Sequence, residues 1–133
     1  MPGEYESQFG LDSFELYNRA RAFRKDIYRL IRDLPAAEKY CLAPQMQRAA
    51  ISVSNNVAEG HGRWHFQENI QFCRTTRGSV EELIDDLNIC LDEAYIDETI
   101  VLKLKDQAQS LIARINSYIR YLRKRRDGGD CAS

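Results

Sequence analysis

The sequence predicts an all-α protein that folds as an antiparallel, up-and-down four-helix bundle. Four long segments carry apolar residues at three- and four-residue steps, and no segment alternates as a strand does. Short stretches containing proline or glycine separate the first three segments, and the short stretch Ala94-Tyr95-Ile96-Asp97 separates the last two. Because short connections force successive helices to run in opposite directions, the bundle should be antiparallel. A three-helix arrangement with one long broken helix is the structural alternative.

The first two helices are predicted on either side of a turn bounded by prolines. Helix one should begin at Asp12 or Ser13, since Asp12 and Glu15 have the spacing of a capping box, and should end before Pro35. Helix two should start at Pro44, whose missing N–H is tolerated in a first turn, and end at Gly60. The predicted inner residues are Leu16, Ala20, Phe23, Ile27, Leu30 and Leu34, then Met46, Ala49, Ala50, Val53 and Val57.

The last two helices are longer. Helix three should run from Trp64 or His65 to Ala94, and Gly78 in its middle suggests a close helix crossing. Helix four should be capped by Asp97 and end in a basic run. The predicted inner residues are Phe66, Ile70, Cys73, Val80, Ile84, Leu87, Leu91 and Ala94, then Val101, Leu104, Ala108, Leu111, Ile115, Tyr118 and Leu122. We therefore expect an N-terminal tail at 1–12, the bundle at 13–126 and a C-terminal tail at 127–133.

Composition indicates one globular domain in the cytoplasm. The 133 residues are 44% hydrophobic and 29% charged, and the chain is long enough to bury a core without disulfides or metals. No run is apolar enough for a membrane span, and the acidic start does not resemble a signal peptide. The four cysteines are therefore expected to be free thiols.

Residues 45–60 carry a family resemblance; they read QMQRAAISVSNNVAEG and are followed by Arg63. This stretch resembles the signature of the four-helix-bundle proteins encoded in bacterial 23S ribosomal RNA intervening sequences, roughly Q-x-R-R-A-A-x-S-x-x-x-N-I-A-E-G. Similar matches occur in order at Leu34-Pro35 with Glu38, Tyr40 and Leu42, at Arg77-Gly78-Ser79 with Glu82-Leu83, and at Ala94-Tyr95-Ile96. The resemblance covers about residues 14–124. Gln47, Ala43, Pro44 and the C-terminal tail depart from the family pattern.

The resemblance implies an up-and-down bundle and assembly into a ring of five subunits. A distantly similar group consists of accessory proteins to the reverse transcriptase of diversity-generating retroelements, which bind nucleic acid and the enzyme. The family pattern assigns no reaction and no cofactor. Three kinds of partner stay open: further copies of this chain, RNA or DNA, and another protein.

The first candidate site is a polar stripe on helix two. Its members recur at three- and four-residue steps and so share one face of the helix. Arginines there could hold phosphates while asparagines read base edges. Alternatively, these side chains bond one another and fix helix packing or a subunit interface. The stripe comprises Gln45, Arg48, Ser52, Asn55 or Asn56, Glu59 and Arg63.

The second candidate is the basic material of helix one and of the C-terminal end of helix four. Residues 114–126 hold six basic and no acidic side chains, although the net charge of the chain is −1. Clustered cations could bind nucleic-acid phosphates, or they could form an ordinary solvated helix end. The candidate cations at the C-terminus are Arg120, Arg123, Lys124, Arg125 and Arg126, and helix one adds Arg21, Lys25 and Arg32 on one side, with Arg24 and Arg29 adjacent.

Two further groups give no metal site. The acidic residues Glu81, Glu82, Asp85 and Asp86 lack the Glu-x-x-His motifs of a bundle di-iron site, and we interpret them as a solvated face. His61 and His65 flank a glycine turn with no third ligand. We therefore expect no catalytic residues, no metal and no cofactor.

The sequence thus favours a non-enzymatic protein that self-assembles and acts as a scaffold or binding module. Apolar residues lying off the predicted seams give a reason for assembly that is independent of the family. A nucleic-acid-binding accessory protein is the alternative function. The off-seam residues are Ile51, Phe72, Ile89, Ile100, Ile112 and Ile119.

Overall fold

A computed structural model of the protein describes residues 10–129 and contains four long α-helices. No strand occurs in this range, so the predicted all-α class is confirmed. The predicted tails at 1–12 and 127–133 lie largely outside the described residues. The four helices are α1 (Glu15–Arg32), α2 (Leu42–His61), α3 (Phe66–Asp92) and α4 (Glu98–Lys124), with short 3-10 turns at Gly10–Ser13 and Ala36–Glu38 and a wide turn at Arg125–Gly129.

Side-chain contacts between neighbouring helices show that the bundle is antiparallel. Gln45 at the start of α2 bonds Asp86 near the end of α3, and Ser52 bonds Ser79 midway along both helices. Between α3 and α4, the pairs Asn69–Tyr118 and Lys105–Asn88 likewise join opposite ends. The α1–α4 seam is the most loosely packed of the four seams.

The predicted seams form the core. Phe23, Ile27, Met46 and Leu87 are fully buried, and each such side chain contributes about 1.5–3 kcal/mol by leaving water. Leu83, which the predicted seam omits, is fully buried, whereas the predicted Ile84 is only half-buried and Ala94 is exposed. Helix α3 ends at Asp92. Two residues later, Ala94 adopts a left-handed backbone conformation with a φ of 56°, which turns the chain away from the helix axis.

The predicted helix starts need correction in two places. Asp12 lies in the first 3-10 turn, and the cap of α1 is Phe14, which makes no side-chain capping bond; the predicted Asp12–Glu15 capping box is wrong. Helix α2 begins at Leu42, so Pro44 is its third residue, still within the first turn where N–H groups lack helical partners. The predicted Asp97 cap of α4 is confirmed, since its side chain accepts a bond from Thr99 N.

The predicted close crossing at Gly78 is also wrong. Gly78 is exposed, and a Cβ added to it would have no heavy atom within 4 Å. The close approach lies instead at Gly60, where a Cβ would stand 2.5 Å from Asn69 Oδ1 and 3.1 Å from Phe72 Cβ. The last turn of α2 therefore packs against the first turns of α3 at a distance that only glycine allows.

Most of the off-seam apolar residues are partly or fully buried within the chain. Ile119 belongs to the core, and Ile89 and Ile112 pack partly buried against it. Only Ile51 and Ile100 of the six are exposed, which weakens this reason for assembly. None of the described helices combines the length and the apolar character needed to cross a membrane.

Candidate functional site

The polar stripe of α2 divides into an inner and an outer part. The Gln45 amide donates to Asp86 Oδ1 at 2.6 Å, the Ser52 and Ser79 hydroxyls are 2.8 Å apart, and the Asn56 amide donates to the Ser52 hydroxyl and carbonyl. These four contacts join α2 internally or to α3. This part of the stripe is therefore a packing network. It agrees with the alternative interpretation of the stripe, in which its side chains bond one another and fix helix packing.

The outer part of the stripe remains available to a ligand. Arg48 and Asn55 are exposed, and neither side chain makes a hydrogen bond or ion pair within residues 10–129. Arg48 lies thirteen residues before His61, the last residue of α2, which is about 20 Å along the helix axis, and Arg63 follows that end. The structure thus separates Arg48 from the other candidate cations.

Asp86 is the one acidic side chain of α3 that is buried. Its Oδ2 atom has no hydrogen-bond partner within the described chain. Burial raises the pKa of this carboxyl, the bond from Gln45 opposes that effect, and Asp85 and Glu82 add to it. Glu81, Glu82 and Asp85 are exposed, as predicted for a solvated face, whereas that prediction is wrong for Asp86 because its side chain packs between α2 and α3.

Arg63 lies just beyond the end of α2 and is held in place from three sides. Its guanidinium contacts Glu59 at 3.1 Å and Glu68 at 3.9 Å and lies 5.2 Å from the centre of the Phe72 ring. The side chain is still 44% exposed. Arg63 is therefore an oriented cation at the surface, with its partner Glu59 beside it.

The basic run at the end of α4 lies beside the turn between α2 and α3 that holds Arg63. Arg126 donates to Gln67 in the first turn of α3 and to Asp127, and Arg125 lies over the rings of Phe66 and Tyr121. Arg120 donates to Ser117 and stays exposed. Arg123 and Lys124 are exposed and make no side-chain hydrogen bond or ion pair in the described part of the chain.

Two candidate clusters that are far apart in sequence thus converge at one end of the bundle. We call this surface the basic end and define it as Arg63, Trp64, residues 120–121 and residues 123–126. It carries six cations, and Glu59, Glu68 and Asp127 pair with members of this group. Arg48, Asn55 and Asn56 are outside it.

The basic end also presents aromatic rings that the sequence reasoning missed. Trp64 is 94% exposed and Tyr121 is 48% exposed. Tyr121 stacks on Tyr118, Tyr118 contacts Phe14, and Phe14 stacks on His61 with centroids 4.6 Å apart. Antiparallel topology could have revealed this grouping, because it places the α2–α3 turn and the end of α4 together.

Histidine and cysteine chemistry gives no alternative site within residues 10–129. No group of three or more His, Cys, Asp and Glu side chains in this range could hold a metal ion. Cys41, Cys73 and Cys90 are free thiols, as predicted, and Cys131 is outside the range. Burial raises the pKa of Cys73 and of Cys90 to about 11, so both are poor nucleophiles near neutral pH.

A family model described as 23S rRNA-intervening sequence protein matches residues 12–117, most of the chain. The chain belongs to this family. The signature of the 23S rRNA-intervening sequence proteins, residues 45–60, occupies α2. Its inner polar residues bond α3, and its final glycine makes the close crossing, so much of the signature specifies packing.

A crystal structure from the S23 ribosomal protein family shares the fold of this family member. That protein, from Bacteroides thetaiotaomicron, has unknown function; it is 14% identical, with a TM-score of 0.70 over 78% of this chain and 97% of its own. No curated protein matches the sequence. The similarity supports the bundle architecture alone.

Proposed function

We propose that this protein is a non-enzymatic module that binds nucleic acid by holding phosphates at the basic end. The observation that carries the proposal is the convergence of Arg63 with the α4 cations, about sixty residues later, beside exposed aromatic rings. Arginine and lysine clusters supply the sequence-independent part of nucleic-acid affinity. The wider acidic surface and the net charge of −1 would confine binding to this end.

The test removes charge without disturbing packing. Arg123→Gln with Lys124→Gln changes two exposed cations that have no side-chain hydrogen bond or ion pair in residues 10–129. Lys25→Gln with Arg32→Gln makes the same change in charge on exposed positions of α1. Binding of labelled 20-nucleotide RNA and DNA would be followed by anisotropy between 50 and 200 mM salt.

Counterion release sets the expected result. If about four phosphates are contacted, wild-type affinity for a single strand should fall about fiftyfold over this salt range. The α4 variant should have a salt slope smaller by about 1.4, whereas the α1 variant should match the wild type. Absence of binding at 50 mM salt, or equal effects of the two variants, would refute the proposal.

Self-assembly is a second candidate, favoured by an open groove between α1 and α4. Three adjacent depressions follow this seam, and the one nearest the start of α4 has a volume of about 270 Å³. Its apolar lining comprises Leu30, Ile96, Ile100 and Leu104. A helix of a second copy could bury this surface, and the family resemblance would make the assembly a ring of five.

Light scattering on two matched variants tests this candidate. Ile100 lines the groove, whereas Leu102 does not, and each side chain is 46% exposed. Wild type should have about five times the chain mass of 15.4 kDa, Ile100→Asp should be monomeric, and Leu102→Asp should keep the wild-type mass. A wild-type monomer at micromolar concentration would remove the candidate.

A further inference from the structure

We propose that the basic end binds unpaired nucleotides and that the Trp64 indole is the platform on which a base stacks. This inference rests on the proposed nucleic-acid binding and adds the class of ligand. Trp64 follows Arg63 in the turn between α2 and α3 and is almost completely exposed. A tryptophan is seldom left in water, because burying its ring is strongly favourable.

The ring faces of Trp64 have no aromatic or cationic partner among the residues that the structure describes. Tyr121 differs, because Tyr118 stacks on its ring and the Arg125 guanidinium lies 5.6 Å from its centre. Trp64 is therefore the aromatic side chain of the basic end that can accept a base on its faces.

The neighbouring cation is placed to hold the strand. Arg63 is adjacent to Trp64 in the chain and is fixed by Glu59, Glu68 and the Phe72 ring. A nucleotide stacked on the indole would have its phosphate within reach of cations of the basic end. Proteins that bind single strands without sequence preference usually combine aromatic rings, on which bases stack, with cations that contact the phosphates.

Duplexes cannot use such a platform. Their base faces are buried in the stack, so a duplex offers the basic end only phosphates and groove edges. A stacked base contributes affinity that alanine substitution removes, typically about five- to hundredfold. The indole should therefore distinguish unpaired from paired nucleic acid, while the cations bind both.

Trp64 is the sole tryptophan of the chain, so its fluorescence reports the stacking directly. The full chain would be titrated with dT20, rU20, a 20-base-pair duplex and an abasic phosphodeoxyribose strand of equal length. We expect dT20 and rU20 to quench the indole emission and the abasic strand to leave it unchanged. Comparing dT20 with rU20 also shows whether DNA or RNA is preferred.

Two substitutions complete the test, with anisotropy of labelled strands as the readout. Trp64→Ala should weaken dT20 and rU20 binding about five- to hundredfold and duplex or abasic binding less than twofold, and Trp64→Phe should restore part of the loss. Equal losses on all four ligands, or tight dT20 binding without quenching, would overturn the stacking role and leave the phosphate site intact. No binding of any of the four at low salt would instead refute the proposed function itself.

Discussion

At the scale of single residues, the two glycines within α2 and α3 have opposite surroundings. Gly60→Ala should destabilise the fold by about 1–3 kcal/mol, because its Cβ would meet Asn69 Oδ1 at 2.5 Å and Phe72 Cβ at 3.1 Å. Asn69 cannot move aside freely, since its amide also donates to the Tyr118 hydroxyl. Urea unfolding would measure the loss.

Gly78→Ala is the matched control for that substitution. Its Cβ would enter open space on an exposed helix interior, so alanine should stabilise the protein by up to about 1 kcal/mol. A Gly60→Ala variant as stable as the wild type would show that the two helices are not as close as described. Sequence spacing placed the crossing at the wrong glycine because periodicity tells which face is inward but not how far apart two axes lie.

The buried Asp86 carboxyl should make the stability of the fold depend on pH. Its folded-state pKa is raised, so between about pH 4 and that raised value the folded protein binds more protons than the unfolded chain. Stability should therefore fall as pH rises through this window. Asp86→Asn should remove that fall while keeping an acceptor for Gln45.

Thermal unfolding of wild type and Asp86→Asn from pH 4 to pH 7 would check the sign. Asp92→Asn is the control, because Asp92 is an exposed carboxylate of the same helix. If the wild type and Asp86→Asn showed the same change in melting temperature between pH 4 and pH 7, the pKa of Asp86 would not be raised in the folded protein.

At the scale of helices and connections, the sequence predicted the inward faces well and the ends less well. The α4 seam is almost wholly buried because an uninterrupted heptad pattern leaves one choice of face. The start of α1 was misplaced because Asp12 and Glu15 satisfy the capping-box spacing, yet residues 10–13 form a separate 3-10 turn. Such a choice depends on tertiary contacts, which local spacing does not contain.

Glu38 links the two connections at the end of the bundle opposite the basic end. One carboxylate oxygen accepts from the Leu42 N–H at the start of α2, and the other accepts from the Tyr95 hydroxyl at 2.7 Å. The bond to Glu38 is the main cause that raises the pKa of Tyr95 to about 12. The Tyr95–Glu38 hydrogen bond therefore stabilises the folded protein fully below about pH 10, and this stabilisation is lost as the pH rises through about 12.

Tyr95→Phe should lower the urea midpoint of unfolding at neutral pH, because it removes a bond to a charged acceptor. Tyr40→Phe should have no effect, since Tyr40 is 83% exposed and makes no side-chain hydrogen bond within residues 10–129. In an absorbance titration, the tyrosine that ionises near pH 12 in the wild type should be missing from Tyr95→Phe. Identical midpoints for the two variants would show that Glu38 does not join the connections.

At the scale of the whole molecule, topology decides what the candidate residues can do together. Sequence alone identified Arg63 and the α4 cations as separate clusters, and the antiparallel bundle makes them one surface. It also separates Arg48 from that surface, although Arg48 and Arg63 share a helix face in sequence. Trp64 lay at the predicted start of helix three, two residues before the first predicted inner residue, Phe66, where hydrophobic periodicity does not tell whether a side chain is exposed.

The two buried thiols report on the cooperativity of the whole bundle. Cys73 and Cys90 are buried in α3, and their raised pKa of about 11 leaves little thiolate at neutral pH. In a Cys41→Ser, Cys131→Ser background, a thiol reagent should label both only through global unfolding. With a stability of at least about 5 kcal/mol, labelling should be slower than in urea by a factor of about 5,000 or more. Both cysteines should react at the same rate. If Cys90 reacted much faster than Cys73, the end of α3 near Glu38 would open separately from the basic end. The bundle would then not unfold as one unit.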